Sequence, residues 1–233
     1  MHYLKRYRNG EYEQVWIDLQ ALGGSVRREP YYAQAQAVAT ETMRRVRRNC
    51  ERVIARLRAV DYRFGIYPDG TRRSYTVEPL TPPSDQMRAD RAELETAAGP
   101  LPMSLVSFWQ EVGAVDLVGM QPAWPDGLDP LVVDPPEAAL SFLFDEEDDV
   151  NLGRFAGLAP DDLHKDNTSG GDPYGVRLPN PAADFLFEYE RHGLLFVSYL
   201  RFALLEWGGF PGLEGRGIRF EARDDLVAGL EPF

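Results

Sequence analysis

Gly157 to Pro181 reads GLAPDDLHKDNTSGGDPYGVRLPNP, a loop system rich in Gly, Pro and Asp set between two apolar runs. The short apolar segments Phe155–Leu158 and Tyr174–Leu178 flank its turns and are expected as strands. Thr168-Ser169-Gly170-Gly171 lacks the Lys-Ser/Thr ending of a phosphate-binding loop, and Gly170-Gly171-Asp172-Pro173 opens no helix. Its glycines are therefore expected to supply backbone angles closed to other residues. Downstream, Phe185–Tyr189 is expected as a further strand, and Leu194–Trp207 as the longest buried helix, stopped by Gly208-Gly209.

Upstream the periods change. From Ala39 to Val60 the small or apolar positions Ala39, Met43, Val46, Cys50, Val53, Leu57 and Val60 recur in steps of four and three, a seam on one helical face. Arg44, Arg45, Arg47, Arg48, Arg52, Arg56 and Arg58 occupy the other faces. Val15, Trp16, Leu19 and Leu22, ending at Gly23-Gly24, give a second helix to pack on that seam. Tyr62, Phe64 and Ile66 alternate before the turn Pro68-Asp69-Gly70, with Ser74–Val77 as the returning strand. Leu80–Ser84 reads as a linker and Asp85–Ala98 as a helix. Leu105, Val106, Phe108, Trp109 and Val112 follow on one helical face that Gly113 can end. Val115–Val118 and Leu131–Val133 are strand candidates, and Pro136 opens a helix to Phe144. Helices and strands interleave without repeated strand-helix-strand units, which specifies an α+β fold with a mainly antiparallel sheet packed with helices. A boundary near residue 85 is expected, with residues 1–85 a helical and short-strand extension and 86–233 the main domain.

The 233 residues carry a net charge of −12, unevenly placed. Residues 1–60 hold 12 Lys or Arg against 6 Asp or Glu, a net of +6, whereas residues 61–233 hold 13 against 31, a net of −18. Such an acidic body repels nucleic acid and attracts basic proteins. The arginine face is expected to be structural, its stems covering apolar surface and its heads meeting the carboxylates of the body, because no nucleic-acid-binding motif accompanies it. Lys5, Arg6 and Arg8 are followed by Glu11, Glu13 and Asp18 where a secretory signal needs an apolar stretch. No window approaches the roughly 20 apolar residues of a membrane span. Cys50 is the only cysteine, which excludes an internal disulfide and a multi-cysteine zinc site. Together these lead to the expectation of a cytoplasmic protein without membrane association.

The loop system, together with Asp184-Phe185-Leu186, Phe196-Val197-Ser198-Tyr199-Leu200-Arg201 and Gly208-Gly209-Phe210-Pro211-Gly212, resembles the SUKH superfamily of SMI1/KNR4-like proteins. The resemblance starts upstream at Leu101-Pro102, continues through Phe108-Trp109, Gly113 and Asp129-Pro130-Leu131, and covers about half the chain. It implies a non-enzymatic protein-binding module of the toxin-immunity type, whose partner is a cognate toxin domain; the acidic body adds the expectation that this domain is basic, toxin domains that cut nucleic acid being a class with that charge. A regulatory or scaffolding role is the alternative that the same family implies. Residues 1–85 lie outside the resemblance, and their heptad seam offers a homodimer interface as one use of the extension.

Chemistry-bearing constellations are few. His164, Asp166 and Ser169 are too close in one chain to make a triad from sequence, and no Gly-x-Ser-x-Gly elbow exists. Cys50 lies in the seam and reads as a small core residue. The run Asp145-Glu146-Glu147-Asp148-Asp149 fails the calcium-loop pattern, since Val150 and Ala156 stand where Gly and Glu are needed. It is either a solvated charge run or an electrostatic docking patch for a basic partner. Trp124, between Pro122 and Pro125-Asp126-Gly127, is either an exposed anchor for a partner or a loop aromatic folded back over the core. The expected partner-binding residues are thus Trp124, Asp145, Glu146, Glu147, Asp148 and Asp149, with no catalytic residue, metal or cofactor.

Overall fold

The longest element is the arginine-rich helix. In the computed structural model, which describes residues 2–73, 78–143, 154–217 and 219–233, helices α1 (Tyr3–Arg8) and α2 (Tyr12–Gln20) lead to α3 (Tyr32–Ala59). Strand β1 (Arg63–Phe64), strand β2 (Leu80–Thr81) and helices α4 (Asp85–Ala98) and α5 (Met103–Glu111) follow. Strands β3 (Ala114–Asp116), β4 (Gly119–Met120) and β5 (Val132–Val133) precede α6 (Pro136–Leu143). Strand β6 (Arg154–Ala159), the single turn α7 (Asp162–Lys165), strand β7 (Tyr174–Leu178) and helices α8 (Phe196–Arg201) and α9 (Arg223–Val227) complete the order. The class is α+β. Its strands form three small antiparallel sheets, β1-β4, β2-β3-β5 and β6-β7.

Ala39, Met43, Val46, Cys50, Val53 and Leu57 of the α3 seam are all buried. Each large member contributes roughly 1.5–3 kcal/mol on leaving water. What covers them is the chain itself: α3 packs on α5, α1 and α9. The homodimer expected through this seam is therefore corrected, because docking a second copy there would require unpacking the core. Residues on both sides of position 85 enter one hydrophobic cluster that runs from Tyr3 to Phe233.

The arginine face folds as the structural reading expects, onto the chain's own last residues. Arg48 and Arg52 pair with the Glu231 carboxylate at 2.7 and 2.9 Å. Arg45 donates to the Pro232 carbonyl, Arg52 to that of Gly229, and Arg56 to those of Leu226 and Ala228. Buried Asn49 completes the clasp by donating to the Glu231 carbonyl and accepting its amide, both at 2.8 Å. On the neighbouring face, Arg44 reaches Glu111 at 2.9 Å.

Three local expectations change. Leu80–Thr81 is strand rather than linker, pairing with Val115 and Ala114, and Ser84 caps α4 by accepting from the Met87 amide. Gly113, at φ +93°, lets that pairing form directly after α5, because a Cβ there would strike the Thr81 and Pro82 backbone. Phe185–Tyr189 makes only isolated bridges, Glu188 to Gly175 and Leu186 to Leu195. The helix expected over Leu194–Trp207 is α8 followed by a π-helical turn at Phe202–Glu206, far shorter than the 28 residues of α3. The strand expected at Ser74–Val77 lies outside the described residues.

Candidate binding site

Four pieces of chain line an open cavity of about 580 Å³. The first is the tip around Pro68-Asp69-Gly70, closed by a bridge between Ile66 and Arg72 and by the Tyr67 amide donating to Thr71. The second is the end of β5, where the Asp134 amide donates to Leu158 of β6 at 2.7 Å and its carbonyl accepts from the Trp109 indole. With both backbone groups engaged, Asp134 presents its carboxyl to the cavity that it lines. The third is α6, whose Phe142 ring packs closely on β6 at Gly157, where a Cβ would approach it to 3.1 Å. The fourth is the α7 loop.

Asp161 organises that loop. Its carboxylate caps α7 by accepting from the Leu163 and His164 amides at 2.8 and 3.2 Å, and it also binds Nδ1 of the His164 ring. Asn167, at φ +62°, turns the chain out of α7 and donates to Asp69 at 2.9 Å, joining the α7 loop to the Pro68-Asp69-Gly70 tip. Gly171, at φ +86°, passes so close to Asp161 that a Cβ would sit 2.6 Å from the carboxylate. The loop's glycines thus serve the backbone, as their sequence context implies.

Two buried ion pairs adjoin the cavity, one of them through Arg73, which lines it. Arg73 pairs with Asp116, which also accepts from the Val118 amide, and Lys165 donates to Asp129 at 2.6 Å with the Tyr174 hydroxyl on the same carboxylate. Each cation is matched by its own anion. Asp134 is left as the surplus carboxyl, and burial, reinforced by Asp116 and opposed by Arg73 and Lys165, pushes it up to about 7. Burial and nearby Asp126 likewise push Asp166 up to about 6.

The expected site residues are not brought together. Trp124 is half-buried and folds back over the core, 4.9 Å from the Phe220 ring and 5.6 Å from that of Phe210, so the exposed-anchor alternative is not the one this loop adopts. Asp145, Glu146, Glu147, Asp148 and Asp149 lie outside the described residues. His164 is oriented by Asp161, not Asp166, and Ser169 lines the same cavity without a hydrogen bond to the His164 ring. Cys50 is fully buried, and burial pushes its thiol up to about 12. No group of three or more metal-ligating side chains occurs among the described residues, and none of their helices is long and apolar enough to cross a membrane. The residues that sequence reasoning missed are Asp134 and Arg73. Only Asp134 carried a signal, as a carboxylate closing the apolar run Leu131–Val133 before Pro135-Pro136.

Compared with known proteins, the chain matches no family model, no curated protein and no solved structure.

Proposed function

We propose that this chain is a non-enzymatic protein-binding module, an immunity protein of SUKH type that neutralises a basic toxin domain in the cytoplasm, a toxin that cuts nucleic acid being the fitting class. The observation that carries the reading is the distribution of paired and unpaired charge. The arginine face of α3 is engaged with the C-terminal segment, so its positive charge is largely spent within the chain. By contrast Asp61, Glu93, Asp126, Glu137, Asp172 and Glu206 are exposed and form no ion pair with a described residue. Lys5, Arg8, Arg28, Arg58, Arg63 and Arg72 are also exposed and form no ion pair with a described residue, so the acidic balance rests on the net charge of −12 and on the excess of carboxylates after residue 60, and a surface of one sign accelerates capture of the opposite one. The resemblance of the segments Leu101–Leu213 to SMI1/KNR4-like proteins agrees with a binding role.

The test is affinity capture of the tagged protein from the cells that make it, at low and moderate salt, with mass spectrometry of what is retained and an activity assay of the retained protein. The expected result is one basic protein in near-equal amount, retained less well as salt rises, and inhibited when bound. Recovery of regulatory proteins that are not basic, or retention indifferent to salt, would move the assignment to a scaffold.

A further inference from the structure

Resting on that reading, we infer that the cavity between α6, α7 and the Pro68-Asp69-Gly70 tip is the anchor pocket of the interface, and that it receives a cationic side chain, an arginine or lysine of the partner, against Asp134. Three features of the cavity lead there.

The first is its charge inventory. Of the ionic groups around the cavity, Arg73 is matched by Asp116, Lys165 by Asp129, and the Asp161 carboxylate by the α7 amides and His164. Asp134 alone has no hydrogen-bonded partner for its carboxyl among the described residues, so an entering cation completes the set by pairing with the carboxylate, whereas an anion would find no matching charge left over. The second is shape. A volume of about 580 Å³ lies within the range of roughly 300–1,000 Å³ typical of ligand sites and admits an extended side chain with its flanking backbone. The third is the wall chemistry. Phe142, Ala138, Pro160 and Pro173 offer apolar surface to a methylene stem, and the wall includes the aromatic rings of Phe142 and of Tyr67, the latter already within 5.8 Å of the Arg73 guanidinium. A basic anchor side chain has a stem to meet this wall, and a metal ion would use neither the apolar wall nor the rings.

The raised proton affinity of Asp134 fits a site that is complete only when filled. In the empty cavity burial favours the neutral acid, and a cation at contact distance restores the carboxylate.

The experiment titrates the full-length protein with N-acetyl-arginine amide and, in parallel, with the uncharged isostere N-acetyl-citrulline amide, following ring resonances of Tyr67 and His164. The expected result is binding of the arginine derivative at least about tenfold tighter than the citrulline one, with that preference lost in Asp134→Asn and both ligands excluded by Ala138→Trp, which fills the cavity. Equal affinity for the two probes, or an arginine preference that survives Asp134→Asn, overturns the inference. A basic toxin domain held with unchanged affinity by both variants removes the cavity from the interface and leaves the acidic-surface reading standing. Arginine-selective, Asp134-dependent binding by a protein that captures no basic domain upholds the cavity and removes the toxin reading instead.

Discussion

Lys165 is the point at which the binding loop is most exposed to a single substitution. Its side chain is 0% exposed, its ammonium lies 2.6 Å from the Asp129 carboxylate and 4.5 Å from the Tyr174 ring centroid, and it is the last residue of α7. At that separation and an effective dielectric near 20, two unit charges attract by about 6 kcal/mol. Desolvation of both ions offsets most of this, so the pair is worth little relative to an apolar substitute. Breaking it is another matter. Lys165→Met leaves Asp129 charged, 1% exposed and deprived of its cation, at a cost of about 3–5 kcal/mol. In a chain of this length that corresponds to a fall in Tm of about 6–20 °C. The second variant, Lys165→Met with Asp129→Asn, removes the stranded charge, keeps an acceptor for the Tyr174 hydroxyl, and suits the φ of +44° at position 129, which Asn tolerates. It should recover to within about 1.5 kcal/mol of the parent, giving a coupling of at least about 2 kcal/mol between the sites. Urea unfolding followed by tryptophan fluorescence, on the parent, both single variants and the double variant, measures the cycle. A Lys165→Met protein within 1 kcal/mol of the parent, or a double variant as unstable as that single one, would show that the buried charge is not what the pair exists to satisfy.

Three further outcomes are expected. Asp134 holds its proton to higher pH when folded, up to about 7, than when unfolded, so the folded state carries a penalty that is present above pH 7 and gone below about 4. Asp134→Asn should therefore be more stable than the parent at pH 8, by an amount on the order of a few kcal/mol, and equal to it at pH 4; a difference constant across that range in urea titrations would refute the burial assignment. In the C-terminal clasp, Asn49→Ala strands the Glu231 amide and carbonyl and should cost about 1–3 kcal/mol, whereas Arg48→Gln removes one half-exposed pair and should cost under about 1 kcal/mol. The reverse ranking in calorimetry would show that the ionic contacts dominate. The buried Cys50 thiol should react with a thiol reagent only at urea concentrations that unfold the chain, and labelling of native protein at the rate of an exposed thiol would contradict its place in the seam.

What could be read from sequence divides along the range of the interactions. The α3 seam, the Pro68-Asp69-Gly70 turn, β7 and the α6 start rest on periods and turn residues within a few positions, and each is found where the sequence places it. Leu80–Thr81 reads as a linker because Pro79, Pro82 and Pro83 mark a break, whereas its strand character comes from Val115 and Ala114, more than thirty residues away. Phe185–Tyr189 has strand composition, yet its partners are consumed elsewhere and it retains only bridges. The site followed the same division. The turn chemistry of Gly170-Gly171 was legible, but Asp134 gains its chemistry first from burial and then from Asp116, Arg73 and Lys165, which arrive from three other segments, and no local pattern encodes that meeting.

The charge asymmetry of the chain illustrates the point and bears on how binding experiments are interpreted. A basic first quarter and an acidic remainder look, in sequence, like two surfaces for two partners. In the fold, much of the basic part is used intramolecularly, and the clasp is not purely ionic: Arg45, Arg52 and Arg56 donate to backbone carbonyls and Asn49 bonds Glu231 in both directions. Hydrogen bonds of this kind act at contact distance, well inside the Debye length of about 8 Å at physiological ionic strength, and are screened far less than charges attracting across solvent. Added salt should therefore weaken capture of a basic partner by the exposed carboxylates before it loosens α3 from the C-terminal segment. Loss of binding at moderate salt with an unchanged melting temperature would locate the effect on the outer acidic surface, while a parallel fall in both would place the clasp itself in the path of binding.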